Sequence, residues 1–216
     1  MAHNPVQATA RSATSDEPSL TPEGLWLASE LLRSPSLEVS SALISIATAL
    51  VGCDTRRVLD TLDNAAIDLF GAQPLPLQAQ AQRLGYALAN TLALTPGSTD
   101  HRGLLIDQAL SRRQAHPVLI AAIGHELARR AGLRSQLCVT AEGWWTALID
   151  QDRVILVGSG DRDLPASTSN VRYACPHQLA GVILSQLARH RGQPWSDRAS
   201  QLERSLPLCH PHNPQT

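Results

Sequence analysis

The chain has 216 residues, 43% of them hydrophobic, with 18 basic side chains against 19 acidic ones and a formal net charge of -1. All the basic residues are arginine, so no lysine is present to serve a P-loop, a Schiff base or an amine nucleophile. That charge balance argues against a general electrostatic grip on nucleic acid or acidic membranes and leaves only local arginine patches.

Ala and Leu dominate, which favours helices, and the length allows one large or two small domains. The segment 1–20 is rich in Ala, Ser, Thr and Pro without an apolar run, and reads as a disordered tail with no secretion signal. A helix is expected over Thr21 to Arg33, because Thr21-Pro22 supplies an N-cap and a first-turn proline. A second is expected from about Ser36 to Val51, stopped by Gly52. Asp54 or Thr55 caps a third that reaches Phe70 and Gly71, and a fourth runs from Leu77 to Leu92. These amphipathic repeats form one helical layer that carries no catalytic motif.

The pattern changes at residue 98. His101 to Leu110 reads as a short helix, followed by a basic turn, Ser111-Arg112-Arg113-Gln114. Pro117 then starts a helix to Ala131 so apolar in its first two turns that it must be central and buried. Three β signals follow, over Gln136 to Thr140, Trp144 to Ile149 and Arg153 to Val157, with Asp150-Gln151-Asp152 as a polar hairpin turn. Gly158 to Asn170 reads as a loop, His177 to Arg191 as a helix, and Ser196 to Leu206 as the last helix. The class expected is α+β and mostly helical, with a small antiparallel sheet between a helical N-terminal half and a C-terminal helix pair. The segments are 1–20 tail, 21–97 helical region, 98–172 core, 173–208 helix pair and 209–216 tail.

The cysteines, Cys53, Cys138, Cys175 and Cys209, are scattered, and without an export signal they read as reduced thiols in the cytoplasm. Cys175-Pro-His177 and Cys209-His210-Pro-His212 lack the spacing of structural zinc sites, so no metal or other cofactor is expected.

Two blocks carry a family resemblance. Leu110, Arg112, Arg113, Pro117, Glu126, Ala128, Arg129, Arg130, Gly132 and Leu133 match, at their spacings, a pattern of the form L-x-R-R-x-G-x-P followed by E-x-A-R-R-x-G-L. Leu184 to Gly192, Trp195 and Arg198 to Leu208 match a leucine-rich helix pair ending in E-R-x-L-x-L. Both resemble the SirB1 family, bacterial proteins with a transglutaminase-like core followed by a TPR-like helical pair. The resemblance implies a papain/transglutaminase-type core, in whose active members a Cys opens the central helix, a His lies on the next strand and an Asp on the one after. The helix N-terminus and the imidazole would lower the thiol pKa, and the carboxylate would orient the imidazole.

In this chain the Cys position falls on or beside Pro117, the His position on Trp144 and the Asp position on Val157, while Ala115 stands where the family has Gly. All three catalytic roles are vacant. As substitutes, Cys138 with His125 or His116 would give a displaced thiol enzyme, an acyl-transferase or peptidase. Cys53 and Cys138 read more simply as packed thiols. His116 precedes the central helix, where the positive dipole end depresses its pKa. Glu126 is expected to pair with Arg112 or Arg113 as a structural ion pair. Alternation sends one of Trp144 and Trp145 inward, filling the remnant cleft, and the other outward, either under another element or as a partner's anchor. The expected function is a non-catalytic SirB1-type module binding an unidentified protein or peptide, with no nucleic acid or membrane partner, and the displaced-thiol enzyme is its alternative. A third reading is an accessory protein that stabilises a partner enzyme.

Overall fold

The computed structural model describes residues 21–97, 100–151, 153–158, 171–190 and 192–207. The expected tails at 1–20 and 209–216, Asp152 of the hairpin turn, most of the 158–170 loop, and Cys209 lie outside the described residues.

The class is α+β with helices dominant. Helix α1 (Pro22–Leu32) begins as its sequence dictates, with Thr21 Oγ1 accepting from the Gly24 N–H and Pro22 in the first turn. Helix α2 (Val39–Val51) starts three residues later than expected, and Gly52 ends it at φ +76°. Helix α3 (Thr55–Ile67) is capped by Asp54, whose carboxylate accepts from the Arg57 N–H, and it ends earlier than expected in a turn through Phe70. Helix α4 (Leu77–Tyr86) does not stay α-helical to Leu92; a π-turn takes over at Ala87–Thr91. The expected helix at His101 divides into a 3-10 turn, His101–Leu104, and α5 (Ile106–Arg112), which absorbs part of the supposed basic turn.

Between them lies a short parallel pair that the sequence pattern does not announce, β1 (Thr95–Pro96) against β2 (Gln114–Ala115). It ties the end of the helical layer to the entry of α6 (Pro117–Arg130), the buried central helix. Strands β3 (Ser135–Thr140), β4 (Gly143–Asp150) and β5 (Arg153–Val157) follow as expected. A further strand, β6 (Arg172–Ala174), completes an antiparallel sheet of order β5-β4-β3-β6. The chain continues into α7 (Pro176–Arg189) and α8 (Ser196–Ser205).

One buried apolar cluster runs from Ala28 in α1 through α6 to Leu202 in α8, so the helical layer, the sheet and the last two helices share a core. The sheet has two distinct faces. Leu137, Leu148, Ile155 and Val157 join the main core on the side of α6. Cys138, Trp145, Ala147 and Leu156 form a second cluster on the other side. No helix among the described residues is long and apolar enough to cross a membrane.

Candidate functional site

Helix α6 positions most of the residues that the sequence singles out. Pro117 occupies its first turn, and His116 is its N-cap, with Nδ1 accepting from the Val118 N–H at 3.3 Å. A ring nitrogen that accepts this bond carries no proton, so the geometry favours the neutral tautomer protonated at Nε2. The His116 pKa is indeed lowered, but burial is the cause rather than the helix dipole. The 3-10 turn closes over this helix start: His116 N–H donates to the Gly103 carbonyl at 2.9 Å, and a Cβ on Gly103 would sit 3.1 Å from the His116 nitrogen.

Further along α6, His125 Nδ1 lies 3.0 Å from Ser135 Oγ at the start of β3. Burial lowers the His125 pKa, Arg129 assists, and Glu126 opposes. Glu126, only 1% exposed, does not reach Arg112 or Arg113. Its carboxylate accepts from Arg129 (2.9 and 3.1 Å) and Arg130 (2.8 Å), three and four residues ahead on the same helix face. Helical spacing brings these two guanidinium groups to the carboxylate and leaves the α5 arginines elsewhere. Arg130 also pairs with Asp63 of α3, and Arg129 lies 3.6 Å from Glu38 at the start of α2. Arg112 pairs with Asp100, and Arg113 forms no ion pair among the described residues. Arg113 instead turns the chain at φ +55°, and its carbonyl accepts from both the backbone N–H and the hydroxyl of Thr95.

The paired tryptophans are separated by the pleat. Trp144 packs, half-buried, against the main core on the α6 side, the face that also holds Val157. Trp145 is on the opposite face and is 9% exposed, so it is a packed side chain and not a free anchor. Its indole N–H donates to Thr140 Oγ1 at 3.0 Å, and its ring lies so close to Gly158 that a Cβ there would meet it at 2.5 Å.

Cys138 pairs directly with Trp145 across β3 and β4 and belongs to the same far-side cluster. Its neighbour Leu137 faces α6, opposite Thr146, whose hydroxyl donates to the Ala121 carbonyl at 2.7 Å. The structure therefore puts Cys138 on one side of the sheet and His116 and His125, both on α6, on the other. Burial pushes the Cys138 thiol up to about 12. Burial also pushes Cys53 up to about 12, with the Asp107 and Asp54 charges adding to it. Cys175 caps α7: its sulfur accepts from the Gln178 N–H, and its own N–H donates to Gln178 Oε1 at 3.1 Å. Among the described residues no group of three or more His, Cys, Asp or Glu side chains is arranged to hold a metal ion.

Two features escaped the sequence reading. The rings of His190 and Trp195 pack tilted against His101 between the 3-10 turn and the α7–α8 corner, with centroids 4.9 and 5.1 Å from it and planes at 44° and 47°. A groove of about 610 Å³ runs between α1 and α8, with Trp26 on its wall. Three consecutive large apolar residues in α1, Leu25, Trp26 and Leu27, are the signal for the groove, since one face of a helix cannot bury all three. The ring cluster has no local signal, because its members are brought together only by tertiary folding. Comparison with known proteins finds no matching family model, no matching curated protein and no matching solved structure.

Proposed function

We propose that the chain is a non-catalytic transglutaminase-like protein of the SirB1 type, working in the cytoplasm by binding a protein or peptide. A buried helix opening at Pro117 and followed by antiparallel strands supports this reading, with Trp144 and Val157 on successive strands β4 and β5 and β3 intervening after the helix. At the positions of the nucleophile, base and orienting acid stand Pro117, Trp144 and Val157, none of which can form a thiolate, accept a proton or carry a charge.

The observation that carries the non-catalytic part is the separation of thiol and imidazole by the sheet. Thiol catalysis needs the sulfur within hydrogen-bond reach of its base and held as thiolate. Cys138 is buried on the face away from α6 with its pKa near 12, so burial stabilises the inert thiol. The same scaffold leaves binding as its use.

Transamidation and proteolysis assays test this. The full chain should incorporate no dansylcadaverine into casein and cleave no casein above the buffer rate. Turnover that disappears in Cys138→Ala or His125→Ala would replace the proposal with the displaced-thiol enzyme.

A further inference from the structure

The α1–α8 groove is lined by arginine, polar and apolar side chains. Trp26, on the groove wall, is 65% exposed. Ala49 and Leu202 give the groove an apolar floor, and Leu25 lies beside Trp26. Arg33, Arg198 and Arg204 line it, and none of the lining residues is acidic. In a chain of net charge -1 this is a local excess of positive charge.

Arg33 is already engaged, donating from Nε to the Ser205 carbonyl at 3.2 Å and pairing with Glu30 at 2.9 Å, so it fixes α1 to the end of α8. Arg198 and Arg204 form no ion pair among the described residues. Two uncommitted guanidinium groups flanking an exposed indole combine the residue types that dominate binding hot spots. The guanidinium fork matches carboxylates, and the indole with Leu25 beside it matches an apolar side chain.

We infer that this groove docks an acidic peptide segment carrying a large apolar anchor, with Trp26 receiving the anchor and Arg198 and Arg204 pairing with its carboxylates. The arginines are confined to one groove with an apolar floor, which suits a short peptide better than the extended phosphate track of a nucleic acid. The inference rests on the binding-module reading and assigns its surface. The two fail separately, because the catalytic assays never read this groove.

The test is fluorescence anisotropy with a labelled amphipathic peptide presenting Glu on one face and Leu on the other, beside its Gln/Leu and Lys/Leu counterparts. The full chain should bind the Glu peptide at least tenfold more tightly than the Gln peptide, lose affinity as salt rises, and ignore the Lys peptide. Trp26→Ala and the double variant Arg198→Glu/Arg204→Glu should each weaken binding at least tenfold while the melting curve is unchanged. Failure to bind the Glu peptide, equal binding of all three peptides, or full affinity in both variants would overturn the inference. So would equal binding of single-stranded DNA at the same arginines. Tighter peptide binding after Asp16→Asn/Glu17→Gln would mean that the chain's own N-terminal segment takes the groove, and a dimer dispersed by Trp26→Ala would assign it to a second copy; either result also overturns it.

Discussion

Gly124 and Thr146 show how closely α6 and the sheet approach. A Cβ on Gly124 would lie 2.6 Å from Thr146 Oγ1, the hydroxyl that donates to the Ala121 carbonyl. Gly124→Ala should therefore cost about 1–3 kcal/mol in urea unfolding, from overpacking and the strained hydrogen bond. Thr146→Ala removes the obstructing hydroxyl, so Gly124→Ala should cost less in that background, and strictly additive effects would contradict the contact. Glu126 is the other sensitive residue. Replacing it with Gln keeps the shape but leaves Arg129 and Arg130 without their shared carboxylate, at a cost of roughly 1–3 kcal/mol in the same assay. Its partners were within reach of the sequence, since positions three and four ahead on a helix are neighbours, whereas the pairing expected with α5 required knowledge of tertiary placement.

At the scale of elements, α6 was legible because each of its signals is local. Pro117 starts it, an unbroken apolar run makes it central, and Gly132 at φ +73° releases the chain. Strands β3 to β5 alternate or run apolar over enough residues to be read. Strand β6 is three residues long and exists only through its pairing with β3, so nothing in Arg172–Ala174 itself announces it. The same holds for the two-residue pair β1–β2. The residues at the positions that the resemblance assigns to nucleophile, base and acid were read from identity alone, but the side of the sheet that Cys138 takes depends on register, which a one-residue slip would reverse.

The 3-10 turn and the central helix α6 also share an electrostatic property. His101, His116 and His125 all have pKa values lowered mainly by burial from an ordinary value of 6.5, so each takes its proton less readily in the fold than when unfolded. Their contribution is complete above the unfolded value and is lost as pH falls through it towards the lower folded value. Melting temperature should fall between about pH 7 and pH 5.5, above the range where Asp100 titrates. A flat or rising profile would contradict the burial of these rings.

The whole molecule has one principal core that joins α1 to α8 through α6. Unfolding in urea should accordingly give a single transition, with tryptophan fluorescence and helical circular dichroism coinciding. Separate transitions would mean that the helical layer and the sheet hold together independently. This continuity bears on the proposed function, because the groove between α1 and α8 rests on the same core that Val157 belongs to and Trp144 packs against.

The most direct measurement is the alkylation rate of each cysteine in the native full chain at about pH 6, resolved by peptide mass. Iodoacetamide should modify Cys138 and Cys53 far more slowly than free cysteine, and at rates that rise only with denaturant, because burial holds both thiols protonated. A Cys138 modified faster than free cysteine in the folded protein would show an activated thiolate and contradict a scaffold without catalysis.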